Sequence, residues 1–198
     1  LETCAACHGR DGEGGGDGTY PRLAGLPPEY IARQVRSFKK KERINLPMFP
    51  YATERELPED DVRDIAFYLS KIELAKSMPE LPPDTPAFQR LQIARRVLNV
   101  PRVPGDVDKG ARTYKKSCRR CHGTDGWGRG TTPPLAGQHS DYLRRQIGLF
   151  LAGERKNDDM LEDPSPSVRE FASIWRAADK IVYSTTLNVA SSARTRIE

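Results

Sequence analysis

The chain has 198 residues, 32 Lys and Arg against 27 Asp and Glu, and a hydrophobic fraction of 37%. That leaves room for one large domain or two small ones of about 80 to 100 residues, a size that often leans on a metal or cofactor. No run nears the roughly 18 apolar residues of a membrane span. The net charge of +5 is uneven, −1 over residues 1–78 and +6 over residues 79–198, but no recognised nucleic-acid motif accompanies the basic part, so it reads as a solvated face.

Taken along the chain, the first feature is CAACHGRDGEGGG, beginning at Cys4. No signal segment precedes it, which is the mark expected of a processed or incomplete form. Residues 29–41 carry helical periodicity, with Tyr30, Gln34 and Phe38 on one side. Residues 58–72 read as a helix with Pro at its start, acids in its first turn and apolar Val62, Ile65, Ala66 and Leu69. A stiff Pro-rich stretch follows at 78–86, then an extra helix at 87–99 and a second Pro-bearing joint at 100–105. Residues 106–117 read as a capped helix, in which Gly110 has a use if another helix comes close. CRRCHGTDGWGRG then runs from Cys118 to Gly130, followed by helical periodicity over 140–152. A helix over 168–183, with Phe171, Ile174, Trp175 and Ala178 on one face, closes the ordered part. Residues 190–198 read as disordered, and no segment carries a strand signal. The fold class expected is all-α.

Four cysteines can form disulfides, bind zinc, perform thiol redox chemistry or carry haem. The first two readings leave the histidine after each pair unexplained, and a thioredoxin-like pair wants a βαβ context that is absent. C-x-x-C-H accounts for every member. Two thiols on one helical turn add to the two vinyl groups of a haem, and the next residue, a neutral imidazole, lies beneath the iron. The two motifs consume all the cysteines. Cys4, Cys7 and His8 thus mark one haem site, and Cys118, Cys121 and His122 the other.

An internal repeat indicates the second axial ligand. Residues 21–48 align without a gap on 133–160, and the 12 shared identities include Gln34 with Gln146, Arg43 with Arg155, and Met48 with Met160. A lone methionine is usually core filler, but two matched ones, each some 40 residues after its motif histidine, favour thioether ligation. His139 competes for the second iron. Its repeat partner is Pro27, which binds no iron, so His139 reads as a surface histidine near a helix start.

The twin CxxCH motifs, the CxxCHGxDG start, the PxLAGQ block, the GERKND run and the downstream methionine resemble the dihaem cytochromes of the c4 type. The resemblance covers residues 1–72 and 106–160. It implies two tandem class I cytochrome c domains, each wrapped around a covalent haem c whose iron is held by His and Met. The domains would span 1–78, with the N-terminal helix largely missing, and 106–198, with a divergent C-terminal region. Residues 79–105 would form a linker with an extra helix, longer than the family's usual connection. The function implied is electron transfer between redox complexes in the periplasm, without catalysis. The partners would be a membrane quinol-oxidising complex, a terminal oxidase or a dehydrogenase, at the membrane surface or free of it, and not nucleic acid. The alternative is an electron-accepting subunit of a periplasmic oxidoreductase, such as one acting on sulfur compounds.

Overall fold

The structure, a computed structural model, describes residues 2–15, 18–101, 103–155, 169, 180–182 and 195–197. Its helices are α1 (Glu2–His8), α2 (Pro28–Lys39), α3 (Glu59–Ser70), α4 (Ala87–Arg95), α5 (Val107–Ser117), α6 (Arg119–His122) and α7 (Ser140–Leu151). A 3-10 turn covers Leu46–Met48, and two three-residue strands, β1 (Lys180–Val182) and β2 (Thr195–Ile197), pair in parallel. Among the described residues no helix is long and apolar enough to cross a membrane.

Local chemistry explains where the helices begin. Pro28 opens α2, where its missing N–H would have no helical partner in any case. Glu29 then lies in the first turn and Arg36 and Lys39 in the last, each sign opposite to its end of the helix dipole. In α3 the first turn holds Glu59, Asp60 and Asp61, and Val62, Ala66 and Leu69, spaced four and three apart, are buried. Asp106 caps α5 by accepting from the Lys109 amide at 2.9 Å, an arrangement that contributes about 1 kcal/mol.

The chain divides into two compact units, residues 1–31 with 63–143 and residues 32–62 with 144–198. Each takes segments of both repeats. In the first unit the buried apolar residues are Ala24, Leu26, Ile31, Ala66, Leu69 and Tyr142. The larger aliphatic side chains among them each contribute about 1.5–3 kcal/mol on full burial. The segment after α3 belongs to this unit and is held by it. Ala75 accepts from Leu98 and donates to Arg96, both at 2.8 Å, and Lys76 lies over the Trp127 ring. Arg90 of α4 clamps its own approach by donating to the carbonyls of Pro82, Pro83 and Thr85, all at 2.9 Å. Residues 79–105 are therefore more than a plain tether.

In the second unit Ala32, Ala52 and Val62 are buried. Its chief polar feature is a ring of four side chains. Arg43 donates to the Gln34 oxygen at 2.8 Å and to the Gln146 oxygen at 2.9 Å, and Arg155 donates to the same two oxygens at 2.8 and 2.6 Å. All four are buried. Exchanging the repeats maps the ring onto itself, as in an isologous contact. Each arginine also lies over its own repeat's phenylalanine, Arg43 over Phe38 and Arg155 over Phe150, at 4.5 Å.

Three expectations change. Among the described residues nothing approaches within 4 Å of a β-carbon placed on Gly110, so the close helix contact expected there is not found among them. The expected helix over 168–183 is strand at Lys180–Val182, and the tail expected to be disordered holds strand Thr195–Ile197. Alternation is the signal for a strand, and three residues are too few to show it. The face of Phe171, Ile174, Trp175 and Ala178 lies outside the described residues.

Candidate functional site

The two motif loops share a set of backbone bonds. Gly9 donates to the Ala5 carbonyl and Gly123 to the Arg119 carbonyl, each at 3.0 Å, closing the motif helices. Gly14 reaches back to the His8 carbonyl at 2.7 Å and Gly128 to that of His122 at 2.8 Å. The Gly12 carbonyl accepts from Leu23 and Ala24, and that of Gly126 from Leu135 and Ala136, all at 2.8–2.9 Å. These turns need left-handed backbone, with φ of 89° at Gly14 and 78° at Gly128. Gly128 also has no room for a side chain, since a β-carbon there would lie 2.3 Å from the Thr132 carbonyl oxygen.

The loops fix the imidazoles. His8 Nδ1 lies 2.9 Å from the Pro21 carbonyl oxygen, and His122 Nδ1 lies 2.9 Å from that of Pro133. A carbonyl accepts only, so Nδ1 carries the proton and donates, which leaves Nε2 as the lone-pair nitrogen. Burial holds both histidines below the usual imidazole pKa, partly offset by the carbonyl contact. Burial thus favours the neutral, metal-binding form, and the carbonyl contact fixes which tautomer it takes.

None of the four cysteines is joined to another in a disulfide, and none is fully buried. Burial raises the Cys118 thiol, reinforced by the nearby Cys121, and burial raises Cys121 as well. Reactive redox cysteines are tuned the other way. Among the described residues no three His, Cys, Asp or Glu side chains are placed to hold a bare metal ion, so the two motifs do not converge as a zinc site would require. Cys4, His8, Gly12, Leu23 and Leu69 line a small pocket open to solvent. Cysteines three residues apart, an imidazole presenting Nε2 and an apolar wall suit a covalently attached haem.

Met48 ends the 3-10 turn and is half-buried, its carbonyl accepting from Tyr51 and Ala52. Ile44, Leu46, Phe49 and Tyr51 surround it in sequence, an apolar loop of the kind that suits a thioether. Met160 lies outside the described residues. His139 departs from expectation. It sits just before α7, but its Nε2 lies 3.1 Å from the Glu13 carbonyl and its Nδ1 is buried without a partner. It is a packing residue of the first unit, wedged against Gly14 and Gly18, rather than a surface histidine.

Two further features escape a motif search. Gln138 pairs with the Arg22 backbone, accepting from its amide at 2.8 Å and donating to its carbonyl at 3.0 Å. Arg22 in turn donates to the carbonyls of Ala24 and Ala136. This link joins the two repeats once, because the repeat partners, Pro134 and Leu26, cannot copy it. The Gln34–Arg43–Gln146–Arg155 ring joins them symmetrically. Its signal was present as two identities within the repeat.

The family described as Cytochrome c matches residues 1–73 and 107–175. A protein named thiosulfate dehydrogenase electron acceptor, from Thiomonas intermedia (strain K12), is 35% identical over 159 residues, covering 80% of this chain and 67% of its own. Cytochrome c4 of Thiocapsa roseopersicina is 32% identical over 159 residues, covering 78% and 72%. This chain thus spans about two thirds of the length of these relatives. The solved structure of reduced recombinant cytochrome c4 from Pseudomonas stutzeri superposes with a TM-score of 0.58 over 86% of this chain and 84% of that one, at 22% identity, a likeness of fold. The chain belongs to the cytochrome c family, as a tandem dihaem electron-transfer protein of the c4 type with two covalently bound haem c groups.

Proposed function

We propose that Cys4 and Cys7 attach one haem and Cys118 and Cys121 the other, with His8 and Met48 ligating the first iron and His122 and Met160 the second. In attachment each thiol adds across one vinyl group. The S–H and C=C π bonds break, the S–C and C–H bonds form, and no atom is lost. The protein's own part is then to hold the imidazoles and thioethers in place, to keep Nε2 deprotonated, and to exclude water with the apolar wall. An iron filled by two protein ligands offers no substrate site, and methionine ligation raises the potential toward that of a respiratory acceptor. The chain in this reading carries electrons in the periplasm and performs no catalysis. Two haem domains, 1–78 and 106–198, are joined by residues 79–105. The observation that carries the reading is the matched pair of imidazoles, each donating from Nδ1 to a proline carbonyl at 2.9 Å beside two cysteines that form no disulfide.

A second reading assigns a particular donor, and the name borne by the Thiomonas relative favours it: the chain accepts electrons from a thiosulfate dehydrogenase. Stopped-flow mixing of the oxidised holoprotein with such an enzyme and thiosulfate tests it. Reduction of both haems at a rate that saturates with enzyme concentration supports it. Reduction no faster than with thiosulfate alone returns the chain to a general carrier.

A further inference from the structure

The surface that flanks the second motif differs from the one that flanks the first. Between the cysteines of the first motif stand Ala5 and Ala6; between those of the second stand Arg119 and Arg120. Both arginines are exposed, so neither is buried against the motif it belongs to. They continue a strip that begins on α5. At about 100° per residue, Lys109, Arg112, Lys115 and Lys116 fall within one arc of roughly 120° on that helix. All four are exposed. Cys118 keeps right-handed helical backbone, with φ −112° and ψ −36°, so α6 carries the strip on to Arg119 and Arg120. None of these six side chains forms an ion pair among the described residues. The two acids of the strip, Asp106 and Asp108, stand at its far end, and Asp106 is engaged as the α5 cap. Toward the motif the strip is purely cationic.

We infer that this strip, Lys109 through Arg120, is the docking surface for an acidic redox protein, which exchanges electrons with the chain through the second motif. The inference rests on the electron-carrier reading and names the surface and the charge of the partner. An acidic protein is favoured over an anionic membrane because the apolar side of α5 offers only Val107, Ala111 and Tyr114, without the Trp, Phe or Leu that insert between headgroups. A membrane also brings no redox centre to Cys118 and Cys121. Charges of this kind set the encounter rate more than the affinity, which suits a carrier that must bind briefly and leave. Exposed charges are screened over about 8 Å at physiological ionic strength, so the effect is strongest in dilute salt.

The test uses the oxidised holoprotein and, as an acidic probe, a reduced plant-type [2Fe–2S] ferredoxin, whose low potential makes transfer downhill. Stopped-flow rates are taken across ionic strength for the parent and for two triple variants with the same change in net charge. One is Lys109→Glu, Arg112→Glu, Lys116→Glu, which leaves the motif intact. The other, away from the strip, is Lys40→Glu, Arg55→Glu, Lys71→Glu. The strip variant should exchange about tenfold or more slowly at low salt and lose the parent's salt dependence, whereas the second variant should change less than about threefold. Equal losses in both variants, or none in either, would overturn the surface. So would a strip variant that keeps its ferredoxin rate but no longer sediments with phosphatidylserine vesicles, for that is a membrane contact. Haem count by mass and full reduction by dithionite separate the levels of the argument. Fewer than two reducible haems sinks the carrier reading and this surface with it, while two reducible haems with a strip-independent rate overturns the surface alone.

Discussion

At the scale of single residues, the proline carbonyls are as much a part of the site as the histidines they hold. Pro21 and Pro133 are repeat partners, and each carbonyl receives an imidazole proton at 2.9 Å. The contact selects the tautomer with Nε2 free to bind a metal, and it restrains the ring against its loop. The thioether side of the proposal depends on Met48 and Met160. Replacing Met160 with Ala should abolish one of two sulfur–iron charge-transfer bands, lower that haem's potential and let carbon monoxide bind there. The same change at His139 should leave the bands intact and show only as lost stability, because His139 packs against Glu13 and Gly14. Spectra and a redox titration of both variants decide the matter. Loss of the band in His139→Ala and not in Met160→Ala would reverse the assignment.

At the scale of elements, the helices were legible because their punctuation is chemical. Pro58 and Asp106 mark two starts, where the structure begins α3 at Glu59 and α5 at Val107, and the periodicity read from residue 29 finds α2, which begins at Pro28. The motif loops were legible as a repeat, down to paired glycines. The Gln–Arg ring was visible only as identities, since periodicity assigns Gln34 to a helix face without naming what it meets. Its energetics can be measured. Each Gln oxygen accepts from two buried guanidinium groups, and bonds to charged donors contribute about 1.5–3 kcal/mol each. Gln146→Leu should therefore destabilise the holoprotein by about 2–4 kcal/mol, read from urea unfolding. Adding Gln34→Leu should cost less than the sum of the two single changes, because the ring is already broken. Strict additivity would mean that the four side chains do not act as a unit. At the other end of the range, Asp106→Ala should cost about 1 kcal/mol through the lost cap.

At the scale of the whole molecule, duplication explains both what could be read and what could not. Two copies of C-x-x-C-H carried the cofactor, and a gapless repeat paired Met48 with Met160. Features present once had no copy to expose them. The Gln138–Arg22 link, the packing of His139 and the anchoring of residues 75–98 through Ala75, Arg96 and Leu98 are all of this kind. Each depends on residues far apart in sequence whose repeat partners differ or that lie outside the repeat. The account as a whole stands on two covalent haems, one per motif. The most direct test is the intact mass of the matured chain after denaturation. Because thioether formation loses no atoms, the account predicts the chain mass plus two complete haems, with Cys4→Ala, Cys7→Ala and Cys118→Ala, Cys121→Ala double variants each retaining one. An unmodified mass, or a single addition in the fully matured protein, would contradict it.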